Sequence, residues 1–196
     1  MMRFDRFSQQ AQDVAARAYE VCQRYGHNQV DTEHILLALL EQPNGAVLRV
    51  LGKLAVDVER TKRRLDEALR SIRKASIPGE GHGQVFITPR VKQIIDLANE
   101  EATRLGSEHI LSSHIFLAAL AERGTAVAKI FEDAGVTKER AYDLVKQEPP
   151  EAAGSTQGVG KATALSLEAL ITIVELLPLE DARKLYQRLG ERLNKE

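Results

Sequence analysis

The apolar residues of this chain recur at helical spacing in successive blocks. In the first, Ala11, Val14, Ala15, Ala18, Val21 and Cys22 follow the 3.6-residue period of an amphipathic helix. Ser8 stands ahead of that block as an N-cap, and Gly26 follows it as a C-terminal stop. The second block, Thr32 to Glu41, is apolar nearly all round (Ile35, Leu36, Leu37, Leu39, Leu40), which predicts a buried central helix. A third covers Ala46 to Leu54. A fourth begins at the cap residue Asp57 and continues through Arg60, Leu65 and Leu69.

The same pattern then returns, ungapped, at an offset of 80 positions. Thr88 caps the next helix with Pro89 at its first position, where a missing N–H removes no bond. Val91, Ile94, Ile95, Ala98 and Ala102 form its apolar face and Gly106 ends it. The later helices run from Ser112 or Ser113 to Glu122, from Ala126 to Ala134, and from Thr137 through Ala141 and Leu144. Identities keep the same register. Ala18, Glu20, Arg24 and Gly26 recur as Ala98, Glu100, Arg104 and Gly106, and His34-Ile35-x-Leu37-Ala38-x-Leu40 recurs as His114-Ile115-x-Leu117-Ala118-x-Leu120. Ala46-Val47 and Val56-x-x-Glu59-Arg60 recur as Ala126-Val127 and Val136-x-x-Glu139-Arg140. The reading is all-α: two pseudo-twofold four-helix repeats, 7–75 and 87–146, within one domain spanning 1–146.

A Gly/Pro-rich connector, Ser76 to Gly83, lies between the repeats. Residues 147–163 are aperiodic and read as a flexible linker. Residues 164–196 become periodic again. Leu167, Leu170, Ile171, Val174 and Leu177 mark one helix, and Ala182, Leu185, Tyr186, Leu189 and Leu193 another, separated by Pro178. Two short helices make no stable core alone, so this tail is expected to pack on the body, on a partner, or on a second copy as a homodimer through residues 165–193.

Composition narrows the function classes. Among 196 residues, 27 Lys+Arg balance 28 Asp+Glu, so the chain as a whole lacks the basic surplus of a nucleic-acid binder. Aromatics are 5% and Trp is absent, which agrees with helices over sheets. The one cysteine, Cys22, excludes a disulfide framework and reads as a buried thiol on the apolar side of the first helix. No apolar run is long enough for a membrane span, and the polar start Met1 to Gln12 has no signal core, so the expected location is cytoplasmic. Gly154 to Thr163 evokes a phosphate-binding loop. Its spacing is one residue too long from Gly154, and Ala162 replaces the magnesium-binding hydroxyl. His34 and His114 have no partners at metal-ligand spacing and read as hydrogen-bonded core histidines. No nucleophile–base pair, metal cluster or cofactor motif stands out, so no enzymatic activity is expected.

Phe7-Ser8-x-x-Ala11, Gly26-His27-Asn28, Thr32-Glu33-His34-Ile35-Leu36-Leu37-Ala38-Leu39, Thr88-Pro89-Arg90-Val91-Lys92 and Ile115-Phe116-Leu117 together resemble the Clp N-terminal domain, most closely that of the ClpC type. The resemblance covers roughly residues 1–146. It implies a helical double-repeat module that binds protein substrates, adaptors or peptides and performs no catalysis. The family's ATPase rings have no counterpart here. The expectation is a stand-alone adaptor, accessory subunit or decoy whose partners are a Clp ATPase, a Clp peptidase and their substrates.

The resemblance also implies a phosphoarginine-type site. Ser8, Gln9 and Glu33 would form one copy, with a helix N-terminus for the phosphate and a carboxylate for the guanidinium. Thr88 and Lys92 would form the second, where the family's Gly-Thr-Glu-His is replaced by Leu111-Ser112-Ser113-His114 and the acid is lost. Phe4, Phe7 and Phe86 would contribute to a peptide groove. Purely structural readings stand beside these: Ser8, Thr88, Thr32 and Ser112 as caps, Glu33 as a first-turn acid, and the phenylalanines as core. Two further readings are a phosphoarginine or cyclic-peptide sequestering protein and, remotely, a helical transcriptional regulator.

Overall fold

The computed structural model describes residues 6–72 and 85–149. Within them the first repeat holds α1 (Gln9–Arg24), β1 (Gln29–Val30), α2 (Thr32–Glu41), α3 (Ala46–Lys53) and α4 (Val58–Ser71). The second holds β2 (Phe86–Ile87), α5 (Pro89–Arg104), α6 (Ser112–Leu120), α7 (Ala126–Asp133) and α8 (Lys138–Val145). Phe4, the connector, the linker from 150 onward and the tail, including the proposed 165–193 dimer segment, lie outside the described residues.

Local chemistry sets the helix starts. Ser8 Oγ accepts the Ala11 N–H at 3.1 Å, and Thr88 Oγ1 accepts the Val91 N–H at 3.3 Å. Asp57 and Thr137 cap α4 and α8 in the same way. Two expected caps shift by one residue: Asp31 and Leu111, not Thr32 and Ser112, are the N-caps of α2 and α6. The reason lies one turn further on. His34 Nδ1 accepts the Asp31 N–H at 3.0 Å, and His114 Nδ1 accepts the Leu111 N–H at 3.1 Å. An imidazole at the third helical position thus takes the part that Glu or Gln plays in a capping box.

The near-uniform apolarity of α2 and α6 has the predicted result. Thr32 through Leu40 and Ser112 through Ala119 are all buried. Helix α1 packs on α2 and α5 on α6, while α2 against α6, α3 against α8 and α4 against α7 join the halves around one core. Phe116 and Phe131 meet there edge to face at 5.6 Å between centroids.

Two short parallel pairings cross between the repeats. Gln29 and Val30 pair with Phe86 and Ile87, and Phe7 forms an isolated bridge with Ile110. These pairings set the start of α5 beside the start of α2, and the start of α1 beside the start of α6. Phe7 is consequently buried in the shared core, not placed on an exposed groove, because its backbone is tied to Ile110. Phe86 remains exposed at 41%.

Candidate functional site

The β1–β2 pairing brings residues from both repeats together. Immediately beyond it, the Thr88 N–H donates to Val30 O at 3.1 Å and Thr88 Oγ1 donates to Asp31 Oδ1 at 3.0 Å. Two residues into α5, Arg90 faces three carboxylates. Its Nε and Nη2 donate to the two oxygens of Glu122 at 3.1 and 3.2 Å, a bidentate pair. Its Nη1 reaches Asp31 Oδ2 at 3.3 Å, and Nη2 lies 3.9 Å from Glu33 Oε1. The sequence-predicted Glu33 therefore belongs with Thr88, not with Ser8 and Gln9. The Ser8 N–H donates instead to Ile110 O, and Gln9 Nε2 donates to Asp13. Cross-repeat pairing is a long-range backbone event, so a reading that kept each site within its own repeat misgrouped them. Lys92 is exposed one turn beyond Thr88. Its N–H donates to Thr88 O at 3.2 Å, and its side chain makes no hydrogen bond or ion pair among the described residues.

Electrostatically the cluster is short of positive charge: one guanidinium serves three carboxylates. Burial raises the Glu33 carboxyl above its ordinary value, with Asp31 and Glu122 pushing the same way and its own backbone N–H and Arg90 opposing. Glu33 Oε2 is buried without a hydrogen-bond donor. Such an orphan acceptor is unfavourable, and an arriving donor would relieve it. The hydrogen bond to Glu122, reinforced by Asp31 and Glu33, favours the charged Arg90. The arrangement can receive a further cationic N–H donor at Glu33, with the N-terminus of α5 and the exposed Lys92 available to an attached anion.

Arg90, Asp31 and Glu122 were not singled out from the sequence. The signal was present in the repeat offset. At the related positions Arg90 becomes Gln10, Glu122 becomes Gln42, Asp31 becomes Leu111 and Glu33 becomes Ser113. Every charged member of one composite site is neutral in the other. There Gln42 Nε2 donates to Gln10 O at 3.0 Å, and both amide oxygens are buried without partners.

The remaining candidates have structural surroundings. His34 Nε2 lies 2.8 Å from His27 Nδ1, and since His34 Nδ1 is an acceptor, Nε2 carries the proton and donates to His27. Burial, then His27, lowers the His34 pKa to about 4, and burial lowers that of His114 to about 4. The Cys22 thiol is fully buried, bonded to His27 O, and pushed up by burial to about 11, so it is not a thiolate nucleophile at neutral pH. No group of three or more His, Cys, Asp or Glu among the described residues is placed to hold a metal ion. No single helix among them is long and apolar enough to cross a membrane.

The Clp repeat (R) N-terminal domain model matches residues 6–134 and 86–170. The negative regulator of genetic competence ClpC/MecB of Bacillus subtilis is 30% identical over 209 residues, covering 99% of this chain and 24% of its own length. This chain thus spans about a quarter of that curated relative. The N-domain of ClpV from Vibrio cholerae superposes with a TM-score of 0.62 at 20% identity, covering 76% of this chain and 89% of that one. A ClpV N-domain in complex with VipB peptide superposes at 0.54 and 22% identity, covering 72% and 89%. These structural likenesses show the shared all-helical fold, and the match of the family model to both repeats shows that the chain belongs to the Clp repeat N-terminal domain family.

Proposed function

We propose that this domain is a non-catalytic recognition module that binds peptides or protein substrates for a Clp chaperone–protease, and that the composite site around Glu33 is where it reads them. The ligand class that fits is a guanidinium carrying a phosphate, as in phosphoarginine. The guanidinium would lie against Glu33 and Asp31, and the phosphate would face the N-terminus of α5 between Thr88 and Lys92. The observation that supports this reading most is the buried, donor-less Glu33 Oε2 beside an acid-rich cluster. That a ClpV N-domain forms a complex with a peptide supports the broader role.

Titration calorimetry with phosphoarginine tests the site. Binding near one equivalent per chain is expected, lost in Glu33→Ala and weakened in Lys92→Ala. Equal binding by Glu33→Ala, or none by the wild type, removes the reading.

The role as adaptor, accessory subunit or decoy, in the cytoplasm and engaging a Clp ATPase or Clp peptidase in trans, belongs to the same proposal. So do the division into 1–146, 147–163 and 164–196 and self-association through 165–193. Pull-down of a Clp ATPase, a Clp peptidase and labelled substrates tests the partners. Retention of none of them removes that part while leaving the calorimetric result standing.

A further inference from the structure

Away from the composite site, the first repeat carries a cleft of about 650 Å³ between the C-terminal end of α1, α2 and the length of α4 from Lys62 onward. The repeats are unequal here: α4 has 14 residues and α8 has 8, so the part of the wall beyond residue 65, with Asp66, Arg70 and Ile72, has no counterpart in α8. Beneath it, Val21, Leu37 and Leu69 with Tyr25 form an apolar cluster separate from the main core. Ile72, an exposed large apolar residue at 36%, stands at the edge.

The rim is cationic in a chain whose net charge is −1: Arg24, Lys62, Arg63 and Arg70 line the cleft, against Glu41 and Asp66 in the lining and Glu59 beside it, which pairs with Lys62 at 2.9 Å. The carboxylates orient the arginines without exhausting them. Arg24 gives two N–H bonds to Glu41, and Arg70 gives one to Asp66, which also accepts the Tyr25 hydroxyl. A guanidinium has five donors, so both keep N–H groups for another acceptor. Arg63 is exposed and has no ion-pair partner among the described residues. Fixed guanidinium groups above an apolar floor suit one chemistry: an apolar side chain flanked by carboxylates.

We propose that this cleft is a second recognition site, distinct from the Glu33 cluster, for acidic peptide segments bearing an apolar residue that seats on Leu37, Tyr25 and Ile72.

The test is fluorescence anisotropy on the full chain with a fluorescein-labelled Glu-Leu-Glu-Glu-Leu-Glu peptide, its Lys-Leu counterpart and a labelled oligothymidylate. The acidic peptide is expected to bind, more weakly as salt rises, and about tenfold more weakly in Lys62→Glu/Arg63→Glu. Ile72→Ala, on an exposed edge, is expected to weaken it without altering the thermal melt. Glu33→Ala is expected to leave it unchanged, so failure here is distinct from failure of the phosphoarginine reading. The proposal is overturned by undetectable binding of the acidic peptide, by equal binding of the charge-reversed variant or the basic peptide, or by oligothymidylate binding in place of the peptide.

Discussion

Two composite sites built by the same duplicated scaffold have taken opposite chemistries. Around Arg90, one guanidinium meets the carboxylates of Glu122, Asp31 and Glu33. At the positions 80 residues away stand Gln10, Gln42, Leu111 and Ser113. The backbone pairings that create both sites are retained, Val30 with Ile87 in one case and Phe7 with Ile110 in the other. So is the imidazole that closes each neighbouring helix start. What differs is only the ionic lining. The four changes are split between the repeats, yet together they strip one complete site. The physical reason is that the charges depend on one another: with one member absent the others would be unpaired, so a lining is balanced either when all are present or when all are neutral.

The largest expected effect checks the part that both halves share. His34 and His114 are neutral in the folded chain and depressed to about 4, so the unfolded chain takes up protons first as pH falls. Their contribution is full above about pH 6.5 and is lost progressively down to about pH 4, about 3 kcal/mol for each imidazole. Urea midpoints measured across that window should fall, and His34→Gln or His114→Gln, which keep a capping side chain, should each flatten the decline. A slope altered by only one of them would break the equivalence of the two helix starts.

Next comes the charged lining. Arg90→Gln leaves three carboxylates without their cation in a partly buried site and should destabilise by about 2 kcal/mol. The triple variant Glu33→Ser, Arg90→Gln, Glu122→Gln copies three of the four neutral positions, keeps Asp31 as the α2 cap, and should recover to within about 1 kcal/mol of the wild type. Denaturant midpoints of the two variants decide it. A triple variant as unstable as the single one would mean that the neutral lining works only on its own side of the molecule.

What the sequence made legible divides along the same line. Helix positions were readable because caps and stops are local: Ser8, Asp57, Thr88 and Thr137 lie where their side chains accept the first N–H groups. The burial of α2 and α6 was readable from composition alone. The grouping of the site was not, since a two-residue parallel pairing leaves no periodic trace and joins Val30 to Ile87 across 57 positions of chain. Glu33 was visible as a residue, but its partners were not.

A smaller effect separates function from stability inside the charged site. Glu33 is held above its ordinary carboxyl value by burial, so its ionised form disfavours folding at neutral pH, and the penalty fades as pH falls through the folded value. Glu33→Gln keeps the shape and removes that penalty. It should raise stability by about 0.5–1 kcal/mol while abolishing phosphoarginine binding. A thermal melt beside the calorimetric titration checks both. Loss of stability would show that Glu33 contributes more as a partner of Arg90 than it forfeits by burial.

The smallest effect tests how far the duplicated backbones still coincide. Three left-handed residues recur at the repeat offset: Gly26 with Gly106, Asn44 with Gly124, and Ala55 with Gly135. At Ala55, φ is 56°, where an L side chain crowds the following carbonyl at about 1–2 kcal/mol. The second repeat solves the same turn with glycine. Glycine brings its own penalty, about 0.5–1 kcal/mol of extra freedom in the unfolded chain. The balance favours Ala55→Gly by about 0.5 kcal/mol, and Gly135→Ala should be unfavourable by a similar amount. Paired melts of the two variants should therefore move in opposite directions. If Ala55→Gly were neutral or destabilising, the methyl group of Ala55 would have to be making packing contacts that offset its strain, and the two turns would be equal in backbone only.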